Sequence, residues 1–227
     1  MNAVVFYSNT GQSEAVATYL AKQLEYPLRD VKTDCSKSYQ NLLLVFPVYC
    51  QNIPDTVKDF LHRTKIENLT VIATYGKMCC GNVLYEIQRS FPHNIVAAAY
   101  IPTKHSYIKD DVAFSDFDQL RAVVAKIKEP SPIRLPKLYK NPLADIAPKW
   151  RSRLGLTIRK SADCNGCNLC AERCSHGGIQ SGKTNGNCIR CLACVVSCPR
   201  QALSIKHSLP LRLYLAKKKS DKLIIYV

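Results

Sequence analysis

The sequence predicts an α/β domain built on a five-stranded parallel sheet, followed by a small cysteine-rich α+β domain. Three observations carry this prediction. Short, wholly apolar segments alternate with helix-forming ones over the first 128 residues. A pattern of four cysteines then occurs twice, 24 residues apart. Between these regions a proline-rich, basic stretch breaks the alternation. Strands that are apolar throughout and alternate with helices belong to a parallel sheet covered on both faces, the doubly wound arrangement.

The elements follow in order. "NAVVFYS" reads as a buried strand, and residues 11–24 as a helix. A weaker strand lies at residues 28–31. "NLLLVFPVY" is the strongest strand, and residues 55–62 form a helix that starts just after Pro54. "LTVIATY" is a strand, residues 83–91 a helix, "NIVAAAYI" a strand and residues 116–128 a helix. "EPSPIRLPKLYKNPLADIAPKW" holds five prolines, yet Ile133, Leu135, Leu138, Leu143 and Trp150 argue for a linker that lies along a domain. The tail "LRLYLAKKKSDKLIIYV" reads as two strands around a Lys-Ser-Asp turn. The expected divisions are 1–128, a linker over 129–159, a cysteine-rich domain over 160–207 and a basic extension over 208–227.

Charge is unevenly spread. Residues 1–125 carry 12 basic and 12 acidic side chains, residues 126–160 carry 10 and 2, and residues 161–227 carry 10 and 3. The whole excess of +15 therefore follows residue 125. Such a surplus suits an acidic partner. A nucleic-acid interface is not expected, because no aromatics interleave with the basic runs as they do in single-strand binders. The start "MNAVVFYSNT" lacks the cationic opening and long apolar core of an export signal. The longest apolar run, residues 42–50, is far short of the roughly 20 residues of a membrane helix. No transmembrane segment and a cytoplasmic location are expected. In a reducing compartment twelve cysteines point to metal or catalytic thiols rather than disulfides.

Eight of those cysteines form the repeat. Cys164, Cys167, Cys170 and Cys174 recur as Cys188, Cys191, Cys194 and Cys198, each copy reading Cys-x2-Cys-x2-Cys-x3-Cys, and Ile179 recurs as Leu203. Zinc sites pair two doublets and do not repeat a quartet. Over about residues 160–207 the chain resembles the bacterial two-[4Fe–4S] ferredoxins. In that family the fourth cysteine of each quartet ligates the other cluster. The resemblance therefore implies one cluster on Cys164, Cys167, Cys170 and Cys198, and a second on Cys188, Cys191, Cys194 and Cys174. Pro199 follows the second quartet as in the ferredoxin pattern, whereas Ser175 follows the first, so that turn lacks proline's fixed φ. His176 beside it is either a tuning group or a surface side chain. Cations near such clusters would make them less reducing than those of acidic ferredoxins.

The loop after the first strand is Ser8, Asn9, Thr10, Gly11, Gln12 and Ser13. It has neither the Gly-Lys-Ser/Thr of a Walker loop nor a Gly-x-Gly-x2-Gly fingerprint. Its hydroxyls, backbone N–H groups and helix N-terminus suit a phosphate that is held and not transferred. An ordinary capped strand–helix turn would also use Ser and Thr. The order of residues resembles the flavodoxin phosphate loop. Two further loops match the positions of the flavodoxin ring loops: Pro47, Val48, Tyr49, Cys50 and Asn52 after the central strand, and Thr74, Tyr75, Gly76, Gly81 and Asn82 after the next. The resemblance implies a flavodoxin-like sheet of strand order 2-1-3-4-5, with FMN bound at the carboxyl ends of the strands. It also gives Tyr49 and Tyr75 as rings able to stack on the flavin. Where relatives carry glycines after "PVY", this chain has Cys50, Gln51 and Asn52, and Asn52 is the candidate for the peptide that flips to bond reduced flavin. Cys50, Cys79 and Cys80 are either a thiol redox element or small, partly buried residues.

The whole chain resembles the flavodoxin–ferredoxin fusion proteins of anaerobic bacteria and archaea. That resemblance implies FMN, two [4Fe–4S] clusters and electron transfer to or from a redox partner, expected to be an acidic protein. The alternative is an FMN-dependent reductase of a small molecule, fed by the clusters. No catalytic acid–base pair or nucleophile is identifiable.

Overall fold

A computed structural model describes residues 1–109, 111–217 and 219–227. The chain divides into two compact units. The first comprises Met1–His105, residues 111–144 and Lys219–Val227; the second comprises Ser106–Lys109 and residues 145–217.

In the first unit, β1 (Asn2–Phe6), β2 (Leu28–Asp30), β3 (Ser38–Pro47), β4 (Lys65–Tyr75) and β5 (Asn94–Pro102) form a parallel sheet of order 2-1-3-4-5. This is the flavodoxin-like doubly wound order. A sixth strand, β10 (Ile224–Tyr226), is added antiparallel to β5, pairing Ile224 with Tyr100 and Tyr226 with Ala98. Register is pinned at the amino ends of the strands by an asparagine ladder. Asn41 donates to Asn2 at 3.2 Å, Asn68 to Asn41 at 3.0 Å and Asn94 to Asn68 at 3.1 Å.

The helices cover both faces, as strands buried on two sides require. α1 (Gln12–Leu24) turns Val16, Ala17, Leu20 and Leu24 onto one face, where Leu120, Val123 and Ile127 join them. The last two lie on α4 (Arg121–Lys128), which a 3-10 turn over Phe117–Leu120 precedes. α2 (Asp55–Arg63) and α3 (Val83–Ser90) cover the opposite face with Val57, Phe60, Leu61, Val83, Leu84 and Ile87.

The basic stretch after α4 is docked. Ile133 donates its N–H to Ile95 O at 2.8 Å, Leu135 is buried, and Ile133 and Leu138 pack on the same core. Gln88 bonds Ile133 O and the Leu135 N–H, and Asn82 accepts the Leu138 N–H at 2.8 Å.

The second unit is built on β6 (Leu156–Lys160), antiparallel to β9 (Leu203–His207), and on the small hairpin of β7 (Ile179–Gln180) and β8 (Lys183–Thr184). One-turn helices α6 (Leu169–Glu172) and α7 (Ala193–Val196) occupy equivalent places in the two cysteine quartets. α5 (Pro148–Gly155) precedes β6 and α8 (Leu209–Leu215) follows β9. α8 corrects the reading of the tail as two strands. Leucines at alternate positions suggest a strand, but Ser208 Oγ accepts the Leu211 N–H at 3.5 Å and Pro210 occupies the first turn, so the segment starts as a capped helix. The other half of the tail is a strand, and it extends the large sheet. Strand β6, for its part, begins in the stretch that the sequence reading gives to the linker and ends at residue 160, the first of the expected cysteine-rich domain.

The repeat is visible in the backbone. Left-handed residues Gly166, Asn168 and Gly177 match Arg190, Leu192 and Gln201 on the 24-residue shift. Hydrogen bonds repeat likewise: Ser161 N–H to Ala202 O at 2.9 Å matches Asn185 N–H to Gly178 O at 3.0 Å.

Candidate functional site

In the first unit the candidate residues gather at the carboxyl ends of β1, β3 and β4. Gly11 caps α1 in a left-handed conformation (φ 83°), and nothing lies within 4 Å of where a Cβ would stand. Its N–H donates to Ser8 Oγ at 3.1 Å. The loop is tied to the sheet by buried Ser13, whose Oγ shares a 2.8 Å hydrogen bond with buried Thr74 Oγ1. Asn9 Nδ2 donates to Tyr7 OH at 3.0 Å and to Tyr49 OH at 2.8 Å. Thr10 and Gln12, half-buried, complete the loop.

A cation that the sequence pattern could not reveal joins it. Lys32 Nζ donates to Ser8 O and Asn9 Oδ1, both at 3.2 Å, and lies 5.3 Å over the Tyr7 ring. It arrives from beyond β2, so only the 2-1-3 strand order brings it beside residues 8 and 9.

After β3, Val48 N–H bonds Thr74 O at 2.8 Å, which joins two of the candidate loops. Pro47 ends the strand. Tyr49 and Asn52 then pair backbone to backbone across a turn whose central residues, Cys50 (φ 49°) and Gln51 (φ 65°), are both left-handed. The left-handed position thus falls on Cys50 and Gln51 and not on Asn52. Asn52 instead uses its side chain to hold the loop, donating to Cys50 O at 3.3 Å and Ala144 O at 3.0 Å. Gly81 packs so closely on this turn that a Cβ would meet Gln51 O at 2.8 Å. The Gly76 Cβ position is closed too, 2.6 Å from the His105 ring. Buried Asn82 holds the basic stretch, as described above.

Tyr75 does not stand at the surface. It is 4% exposed, lies in the main core, and donates its hydroxyl to Ser220 O at 3.2 Å and Lys222 O at 2.6 Å. The C-terminal tail therefore straps the third loop, and Ser220 N–H also bonds Lys77 O at 2.6 Å. Ion pairs hold the strap: Lys77 to Asp221 at 3.1 Å and to Asp111 at 3.4 Å, and Lys219 to Asp111 at 3.1 Å. Burial pushes the Asp111 carboxyl upward, but the His105 N–H and the two ammoniums outweigh it and hold it down at about 2. Burial and the neighbouring Cys79 push the Cys80 thiol up to about 11. Cys80 therefore stays protonated at neutral pH, which suits a packing residue better than a reactive thiol.

In the second unit one cavity is lined by Cys164, Cys167, Cys170 and Cys198, together with Gly166, Asn168 and Arg200. The Cys198 Sγ accepts the Ala202 N–H at 3.3 Å, and the Cys174 Sγ accepts the Gly178 N–H at 3.1 Å, another pair on the 24-residue shift. Cys188 and Cys194 are buried in the small core, which Cys174 also touches. Burial and the nearby thiols of Cys191, Cys188, Cys174 and Cys170 push the Cys194 thiol up to about 12. Among the described residues, no three His, Cys, Asp or Glu side chains stand together as around one metal ion. The two sets of thiols differ in their surroundings. The first is a cavity walled by four thiols. In the second, Cys188 and Cys194 are buried and Cys174 and Cys191 half-buried, and Arg190, next to Cys191 in the chain, has a buried Nη1 with no hydrogen-bond partner.

No helix among the described residues is long and apolar enough to cross a membrane. No protein-family model matches the chain, and no curated protein matches it. Solved structures do resemble it. A short-chain flavodoxin associated with a non-canonical PDU bacterial microcompartment is 13% identical, with 57% of this chain and 97% of that one covered and a TM-score of 0.39. The Trp repressor binding protein from Bacillus subtilis is 15% identical, with 59% and 100% covered and a TM-score of 0.35. The fold itself rests on the strand order: the first unit is a flavodoxin-like doubly wound domain, and a small cysteine-rich unit accompanies it.

Proposed function

We propose that this protein is a cytoplasmic electron carrier, with FMN in the first unit, two [4Fe–4S] clusters in the second, and an acidic redox protein as its partner. One observation carries the reading. Cys198 lines the same cavity as Cys164, Cys167 and Cys170, although it belongs to the other copy of the repeat. A shared wall of three thiols from one quartet and the fourth from the other is what exchanged cluster ligands require.

In the first unit the open space over Gly11 and the donors around it suit a flavin phosphate. Lys32 would add a positive charge beside the phosphate. Asn9 holds Tyr49 in place beside that loop. FMN supplies exchange of electrons singly or in pairs, and each cluster supplies single-electron exchange. The chain's contribution is to hold the groups, to dispose the Gly178 and Ala202 N–H groups toward thiolate sulfur, and to offer a basic surface for docking.

Anaerobic purification followed by flavin and iron analysis tests the reading. One FMN and about eight irons per chain are expected for two four-iron clusters. A preparation without flavin removes the first half of the reading, and one without iron removes the second.

A second reading, FMN-dependent reduction of a small molecule, is favoured by Tyr75. Because that ring is in the core and tied to the tail, it leaves one face of a bound flavin without an aromatic cover from this loop. Turnover of a small oxidant that binds to the flavin-loaded protein in one-to-one ratio would favour the reductase.

A further inference from the structure

The two cysteine quartets are alike in backbone but not in charge. Position 166 is glycine (φ 76°), and its counterpart 24 residues on is Arg190 (φ 62°). A left-handed backbone is ordinary for glycine and strained for arginine. Arg190 is nevertheless only 9% exposed. Its Nε donates to Leu156 O at 2.9 Å, and Tyr107 OH donates to its carbonyl at 2.9 Å. Its Nη1 is buried without a partner. A guanidinium is always charged, and a buried N–H of this kind is costly unless an acceptor, best an anionic one, lies beside it. The flanking chain supplies Cys188 and Cys191. Cys188 and Cys194 are buried in the same small core as Leu156, to which Arg190 is anchored.

The thiols of the other set are more open. Cys167 is exposed, and Cys164, Cys170 and Cys198 are half-buried. Burial alone would lower the potential of the Cys188 cluster below its twin, because reduction adds negative charge where the dielectric is low. A buried cation acts in the opposite direction.

We propose that Arg190 donates to the cluster held by Cys188, Cys191, Cys194 and Cys174, and raises its reduction potential to offset the burial of its thiolates. Gly166 leaves the twin cluster without a buried cation at that place; Arg200, which lines its cavity, is exposed. Arg190 is thus a positioning and tuning residue for one of the two clusters. The inference rests on the cluster reading above and goes beyond it by distinguishing the two sites.

The test uses the full chain, purified anaerobically, as wild type, Arg190→Gln and Arg190→Lys. Dithionite titration followed by EPR should show two one-electron steps. In Arg190→Gln one step should move to lower potential and the other should stay, at unchanged iron content, and Arg190→Lys should restore part of the shift. Two full clusters with neither step moved would overturn the proposal alone. A wild-type chain without iron–sulfur clusters would overturn the cluster reading and this proposal with it. Should Arg190→Gln lose a cluster, wild-type protein carrying 15N in its arginine guanidinium groups decides. Pulsed EPR should then show a guanidinium nitrogen coupled to one reduced cluster and lost in Arg190→Lys. Absence of that coupling overturns the proposal.

Discussion

At the scale of single residues, two glycines make opposite demands on the same site. Gly11 and Gly81 are both left-handed, but the Cβ position is open at Gly11 and lies 2.8 Å from Gln51 O at Gly81. Alanine at position 11 meets only the backbone penalty, about 1–2 kcal/mol. Alanine at position 81 adds overlap with a backbone atom, for a total of roughly 2–4 kcal/mol by the costs of strain and overpacking. Urea unfolding should therefore rank Gly81→Ala well below Gly11→Ala in stability, and equal midpoints would contradict the packing of the two loops. Neither demand could be read from the sequence, which offers both glycines only as motif members. The same holds for Lys32 and Arg190. One becomes part of the loop through strand order, and the other is marked by burial, which no spacing reports. The cysteine repeat is different, because it consists of spacing, which the sequence displays directly.

At the scale of elements, the parallel core was legible because its strands are apolar on both faces and α2 begins just after a proline, Pro54. The tail was not. Its helix α8 carries alternate leucines, and β10 pairs with a strand more than a hundred residues earlier, a contact that local pattern cannot encode. The tail also has its own chemistry. The Asp111 side chain is 5% exposed between Lys77 and Lys219, with its pKa down at about 2 against an ordinary 3.8. A carboxyl depressed on folding contributes stability that is complete above its unfolded value and lost as pH falls through its folded value. The contribution is on the order of 2 kcal/mol. The protection factors of the β10 amides, that is the intrinsic rates divided by their exchange rates at each pH, should therefore be constant above pH about 4 and fall between pH about 4 and 2. Asp111→Asn should remove that acid step and loosen β10 at neutral pH, because two ammoniums lose their carboxylate. Unchanged β10 exchange in Asp111→Asn would show that the strand holds without the ion pairs.

At the scale of the whole molecule, the question is whether the two copies of the repeat are independent or interlocked. If each quartet held its own cluster, either half could be lost without the other. The cavity walled by Cys164, Cys167, Cys170 and Cys198 supports the proposal of exchanged ligands, in which each cluster would staple the start of one quartet to the end of the other. Closing a loop of this length with a cluster constrains the unfolded chain much as a cross-link does. Single Cys→Ser variants separate the two arrangements by which cluster each removes. With exchange, Cys198→Ser and Cys164→Ser should abolish the same EPR signal, and Cys174→Ser and Cys188→Ser the other. Iron should fall from about eight to about four per chain in each. Without exchange, Cys198→Ser would instead pair with Cys188→Ser. The four spectra therefore decide the ligand assignment without reference to potentials, flavin or partner. They also fix which signal belongs to the thiolates beside Arg190, and so which of the two redox steps its replacement should move.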